Sequence, residues 1–509
     1  MDDNVNAVTA QSPEAQGQEM NQAYMDRLFC STKERISYVT YKALGGITLG
    51  SNDVGSSLWL YKIFGVLPES YANAMAGLRI YDMINDPLSA AIIDNMRTRW
   101  GKFKPFQYLS LLPGVIMGVF SCFMPLFANA WGLDAAGRLL MLMIFNYANE
   151  TIGAFFGGGG YIDNVFTPNP NERTSLLVSA KFVGDLIAKF PGQILSFLYD
   201  LINNGVMKGS MTNVFVTTKT VVWVVAIVPT IFWYINSRER VPQSEKPPHP
   251  VKGVLSVFRN RPLLISTLCD LVGGIDVGAD EALYRNDVLK FNTIGMVAGI
   301  PGMPLSYASY AFVPKFRARF STKTLWFFQS GSIVVSEALF FFVGMIGGKE
   351  NGWYLKKIPM TIAFGAGNML EMVFYATKGI IKDEINYEVL DYCEWKNGFR
   401  VEATIGMMKG YFNKIKDMLL QLINSRLLQS WAGYQIGEDA VQTTETKWRI
   451  FLLAHGPHLI FDLLGLIPMI FYNIDKPMRE KMYLDLERTR AAQAARATGG
   501  EESAKAQEP

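Results

Sequence analysis

Apolar residues along this chain run in long blocks, not at the 3.6-residue spacing of soluble amphipathic helices. Leu111 to Leu133 and Val221 to Ile235 contain no Asp, Glu, Lys or Arg, and Asp134 stands just past the first block. A run of about 20 apolar residues crosses the hydrocarbon core of a bilayer at about 1.5 Å rise per residue. The pattern predicts spans at 36–66, 70–96, 106–130, 136–166, 174–204 and 213–236. A second set follows at 262–289, 293–315, 323–346, 358–382, 402–430 and 445–473. The expected fold class is an all-α membrane protein, with about twelve transmembrane helices in two six-helix halves, 36–236 and 262–475.

Polar positions divide the rest. Residues 1–35 lack the apolar core of a signal peptide and are expected to be a disordered cytoplasmic N-terminus. Residues 237–261 begin Ser-Arg-Glu-Arg-Val-Pro and continue through Pro247-Pro248-His249-Pro250, a charged, proline-rich linker. The tail, 476–509, is charged and alanine-rich, and is expected to begin as a surface helix and end disordered. Basic loops stay in the cytoplasm. Arg97, Arg99, Lys102 and Lys104 follow the second span; Lys315, Arg317, Arg319 and Lys323 follow the eighth. Both termini of this multi-pass chain are therefore expected on the cytoplasmic side of a cell (inner or plasma) membrane. The two basic loops hold the same place in each half, as repeated halves do in secondary transporters.

Composition changes this picture little. In 509 residues the net charge is +3 and half the residues are apolar; the small charge by itself says nothing about nucleic acid, and no nucleic-acid partner is expected of a chain built from membrane spans. Cys30, Cys122, Cys269 and Cys393 show no metal spacing. The three histidines, His249, His455 and His458, form no HExxH pair; the last two are expected to pack or to line a cavity. With no nucleophile–base or metal constellation in view, the chain is not expected to be an enzyme.

Charge inside the expected spans is the informative chemistry. Asp82, Asn85 and Asp86 fall at i, i+3 and i+4 on the second span, on one helical face. Each acidic residue at mid-membrane costs about 2.5–3.5 kcal/mol on insertion scales, so the pair calls for a cation, a proton or a basic partner. Three oxygen-bearing side chains suit a hard monovalent cation; shared protonation is the proton-coupled version. The second half has Gly302 and Ser306 at the matching places. Lys181, Asp185 and Lys189 form an i, i+4, i+8 stripe on the fifth span, read either as counter-charge to the acidic pair or as a self-satisfied salt bridge. Asp270, Asp276 and Asp280 mark the seventh span without an assignable role. Glu150 and Asp163 flank Gly157 to Gly160, four glycines that permit close packing or local unwinding.

Asp82-Met-Ile-Asn-Asp-Pro87, followed by Arg97-Thr-Arg-Trp-Gly-Lys-Phe-Lys-Pro105, resembles the glycoside-pentoside-hexuronide:cation symporters, the melibiose permease-like family of the major facilitator superfamily. Glu388-Val-Leu-Asp-Tyr-Cys-Glu-Trp-Lys-Asn-Gly-Phe-Arg-Val-Glu402 is similar to that family's acidic loop between helices ten and eleven. The resemblance implies a major facilitator fold and symport driven by Na+, Li+ or H+, with Asp82 and Asp86 as cation carboxylates and Asn85 tuning ion choice. It implies a cytoplasmic gate at Arg97, Arg99, Lys102, Asp391, Glu394 and Arg400. Ungapped counting puts Lys414 on the family's helix-eleven lysine and Lys181 on its helix-five arginine. For substrate, the helix-one aspartate falls on Gly46, with Asp53 one to two turns on; Asp163 is the nearest acid to the helix-four aspartate. No tryptophan lies in the tenth span, so coupling is retained in the pattern while galactoside recognition is not.

The expected partners are a sugar or glycoside (or uronide), a monovalent coupling cation and the lipid bilayer, with no further cofactor and the chain as a monomer. A non-sugar solute such as a lysolipid or organic anion is the alternative, and a non-transporting membrane sensor the second.

Overall fold

The computed structural model describes residues 28–50, 57–240 and 260–488, less 97, parts of 168–189, 398–401 and parts of 475–487. Its long helices among the described residues are α1 (Thr32–Gly50), α2 (Pro68–Asn95), α3 (Lys104–Ala130), α4 (Ala135–Phe156), α5 (Phe190–Asn203), α6 (Met211–Asn236) and α7 (Arg261–Gly273). They continue as α8 (Met303–Arg319), α9 (Thr322–Met345), α10 (Lys357–Val373), α11 (Tyr375–Asn397), α12 (Glu402–Arg426) and α13 (Thr444–Ile470). Five stretches of the described residues are long and apolar enough to cross a membrane: α3, α4 with its continuation to Gly160, α6, α9 and α13. Side-chain caps begin several helices. Asp134 accepts from the Gly137 N–H at 2.8 Å, Asn260 from Leu263 at 3.0 Å, and Thr443 from Thr446 at 3.1 Å.

The chain forms two compact units. One comprises Met1–Ser56, Ile80–Ile202 and Met207–Glu245; the other comprises Ser57–Arg79, Asn203–Val206 and Lys246–Pro509. In the first, α1 packs along α6, and α3 packs against α4 and α6. Tyr38, Phe166 and Trp233 fill its core, with Tyr38 centroids 4.7 Å and 5.2 Å from the other two. After α4 the chain tightens into a 3-10 stretch, Gly157–Asn164. There the four-glycine run serves both expected purposes: it unwinds the helix, and it lets backbone meet backbone. A Cβ on Gly159 would lie 2.9 Å from the Gln107 backbone nitrogen on α3.

The described N-terminal stretch begins at residue 28 and leads into α1. Ser31 and Glu34 form a reciprocal capping box at the start of α1. Arg240, from the start of the linker, clamps both Glu34 carboxylate oxygens at 2.7 and 2.9 Å and donates to the Phe166 carbonyl at 2.8 Å. Burial, then the Glu172 carboxylate, pushes the Cys30 thiol up to about 12, so it stays an inert packing group.

In the second unit, α9 packs against α10 and α13, α7 against α13, and α8 and α9 against α11. Three expected elements differ. The seventh span ends at Gly273, turns through 274–280, and resumes as Glu281–Leu283 and a π-helical turn, Tyr284–Leu289, because Gly273 and Gly274 interrupt its apolar run. The acidic segment expected as a loop after the tenth span is helical: α11 runs unbroken from Tyr375 to Asn397, containing no proline. The tail does not simply lie on the surface. Met482 and Leu486 are buried with α11 residues Ile381, Ile385 and Val389. Arg479 pairs with the buried Glu388 at 3.1 Å, and the Tyr472 hydroxyl donates to the same carboxylate at 3.0 Å.

Candidate functional site

Helix α2 is 28 residues long, about 42 Å, and Asp82 lies near its middle, about 21 Å from its start. Ile80, Ile84 and Leu88 recur every fourth residue and are all more than half exposed, forming an exposed apolar stripe, the face a lipid would meet. Asp82 and Asp86 each stand two residues from members of this stripe, roughly 200° around the helix at 100° per residue. The face opposite the lipid stripe is therefore the one that carries the carboxylates.

The structure separates the three expected cation ligands. Asp82 is 6% exposed and Asn85 is 3% exposed, whereas Asp86 is exposed. Asn85 Nδ2 has no hydrogen-bond partner among the described residues. A half-turn of the amide presents its oxygen at the same spot, since amide nitrogen and oxygen are interchangeable in shape. Neighbouring positions fix the helix against α4: the Tyr81 hydroxyl meets Thr151 Oγ1 at 2.9 Å, and Ser89 donates to the Ala154 carbonyl at 2.6 Å. A buried acid and a buried amide three residues apart, on a helix fixed against its neighbour, have the oxygen donors that a small hard cation or a proton can use.

The other expected site residues scatter. Asp163 is bound by Lys42 of α1 in an ion pair. Lys414 is half-buried on α12. Lys416, two residues further along α12, has its ammonium beside Gly274 and acts on Asp276. Asp391 is buried and Glu394 half-buried on α11. Arg99 is exposed and stacks on Trp100 at 4.8 Å. Lys102 is half-buried, and the Glu239 carboxylate accepts its backbone N–H, with those of Phe103 and Lys104. Gly101, at φ +110°, lets that carboxylate approach: a Cβ there would lie 2.5 Å from it. Asp53, Arg97, Arg400, and the stripe of Lys181, Asp185 and Lys189, lie outside the described residues.

The acids of the seventh span each find a role. Asp270 pairs with Lys409 at 3.6 Å, Asp276 with His458 at 3.1 Å, and Asp280 caps the Ala282 N–H at 2.9 Å. Sequence reasoning singled out none of Glu337, Glu371 and Asp462, on α9, α10 and α13, whose surroundings only the fold brings together.

Relatives of known name resemble the chain along most of its length. It is 23% identical to a glucuronide carrier protein homolog of Escherichia coli (strain K12), over 79% of this chain and 84% of that one. It is 22% identical to the isoprimeverose transporter of Lactiplantibacillus pentosus, over 85% and 86%. It is 28% identical to the inner membrane symporter YicJ of Escherichia coli (strain K12), over 87% and 92%. The family described as MFS/sugar transport protein matches residues 46–476, almost the entire span of the helices described above. With the fold, the acidic helix and these relatives in agreement, this chain belongs to the MFS/sugar transport family of the glycoside-pentoside-hexuronide symporter type, a multi-pass transporter of the major facilitator superfamily.

Proposed function

We propose that the chain is a cation-coupled symporter that imports a sugar, glycoside or uronide by alternating access, with both termini in the cytoplasm. One observation carries the reading: Asp82 and Asn85, three residues apart near the middle of α2, are both buried. A charged group so placed is retained at a cost of several kcal/mol only where a cation, a proton or a basic partner neutralises it during the cycle. Na+ or H+ fills that role, with Asp82 the principal ligand, Asn85 its neutral partner, and the exposed Asp86 the first carboxylate a cation meets. Relatives that carry a glucuronide or isoprimeverose support the substrate class.

The test is uptake of radiolabelled methyl glucuronide and isoprimeverose into proteoliposomes, with and without a Na+ gradient, at two values of pH. Gradient-driven accumulation of one of them is expected. Asp82→Asn should abolish accumulation, lowering apparent cation affinity roughly 30-fold or more, which equals about 2 kcal/mol. Exchange of substrate at equal concentrations should partly survive. Accumulation by Asp82→Asn equal to that of the unaltered chain would remove the coupling site.

A further inference from the structure

The second unit holds a group of ionisable side chains that the symport reading does not use. His455 and His458 stand on α13, about 17 and 21 Å from its start and therefore well inside a span of about 40 Å. His455 is 2% exposed, and its Nδ1 lies 3.5 Å from Glu337 Oε2 on α9. Its Nε2 has no hydrogen-bond partner among the described residues. Four aromatic rings enclose the imidazole: Tyr284, Phe340, Phe364 and Phe451, at centroid distances of 5.2, 6.0, 5.7 and 5.6 Å. One nitrogen is thus aimed into the charged group while the other is sealed off from water.

Every helix around this pair adds a charge. Glu371 of α10 is in electrostatic reach of Glu337, Asp462 and Lys378. Asp462, one turn beyond His458, is in reach of Glu337, Asp276, His458 and the α11 ammonium of Lys378. Asp276, past the end of α7, takes His458 at 3.1 Å and feels Lys416 of α12. Four carboxylates therefore face two lysines, and Lys416 also meets Asp417 at 3.5 Å. Unless protons arrive, the group carries more negative than positive charge, which is costly for its less exposed members, Glu337, Glu371 and Asp462.

We propose that Glu337 and His455 form a proton-binding site in the second unit, flanked by Glu371, Asp462, His458 and Asp276. The ligand is a proton because one donor is an imidazole nitrogen, a poor ligand for hard alkali cations and an ordinary proton acceptor near neutral pH. The enclosure of His455 by four rings leaves no room for an organic ammonium, whereas a proton needs none. Uptake of one proton by the pair removes one surplus negative charge, and Glu337, the more exposed partner, is its point of entry. The binding stands on this geometry alone; only its part in driving transport rests on the symport reading.

The probe is dicyclohexylcarbodiimide, which adds to protonated carboxyl groups in apolar surroundings, applied to the purified full chain and read by peptide mass spectrometry. Glu337 is expected to be modified at low pH, and its labelling to fall as pH rises and the proton is lost. His455→Gln should move the midpoint of that fall. Labelling of Glu337 that is absent, or that does not change with pH, overturns the proposal without any variant. An unmoved midpoint in a folded His455→Gln protein also overturns it. A pH-dependent adduct in a chain that transports none of the sugars tested leaves the proton site standing and removes the symport reading instead.

Discussion

The most exacting test of the second unit is its buried ion pair. Lys62, on the π-helical turn Leu58–Ile63, meets Asp287, on the turn Tyr284–Leu289, at 3.3 Å, with side chains only 6% and 4% exposed. Asp287 also accepts from the Tyr434 hydroxyl at 2.7 Å and the Asn286 amide at 2.9 Å, and Lys62 donates to the Ala440 carbonyl at 2.7 Å. At 3.3 Å and an effective dielectric of about 20, the Coulomb attraction is about 5 kcal/mol, most of it offset by desolvation. Removing one partner leaves the other charge buried alone, at a cost of about 3–5 kcal/mol, whereas replacing both with apolar groups is near neutral. Lys62→Met and Asp287→Leu should each lower the apparent melting temperature by roughly 6–10 °C, at about 2 °C per kcal/mol. The double variant should recover most of the loss. All four cysteines are free and buried, so a dye that fluoresces on reacting with thiols reports unfolding directly. If the double variant melts lower than both single variants, the losses add, the charges do not interact, and the argument from burial fails.

Two further outcomes test the first unit. The Glu34 carboxyl is raised by burial, but its hydrogen bonds from Ser31 and Arg240 outweigh this and hold it below the usual carboxylate range. The stability it contributes is therefore present at neutral pH and lost as pH falls through its depressed value; Glu34→Gln should flatten the acid limb of a melting-temperature profile, and an unchanged limb counts against the clamp. Gly159→Val should cost about 1–3 kcal/mol, because the new side chain meets the α3 backbone, and a variant as stable as the original chain would show that the close approach is not required.

How much of this was legible in the sequence depends on whether the signal lies within one helix. The apolar blocks and the i, i+3, i+4 acids of α2 are local, so both the helices and the candidate Asp82–Asn85 face could be read before any fold was known. Asp86 differs because its exposure depends on what packs beside it, which periodicity does not contain. Glu337, Glu371 and Asp462 each sit alone in an apolar stretch, on three different helices, and no spacing rule joins them. His455 and His458 were visible as a pair but read only as groups that pack or line a cavity, since their carboxylate partners come from α9 and the end of α7. The helix through 388–397 was missed for another reason: the resemblance supplied a loop there, and local propensity, free of proline, was the better guide.

The chemistry of the two sets of carboxylates separates what each can bind. Asp82 and Asn85 offer oxygen alone, the donor type that a hard alkali cation prefers. Glu337 offers oxygen paired with an imidazole nitrogen, which a proton accepts and an alkali cation avoids. If both sites bind as proposed, dependence on Na+ and dependence on pH become separable properties of one chain. Asp82→Asn should alter the first, and Glu337→Gln the second, each leaving the other's curve in place apart from a common loss of rate. A carrier driven by protons alone behaves otherwise: its Na+ response is flat from the start, and both substitutions act on the same pH curve. Measuring uptake across a grid of Na+ concentration and pH in these two variants therefore identifies the driving ion, whichever sugar proves to be carried.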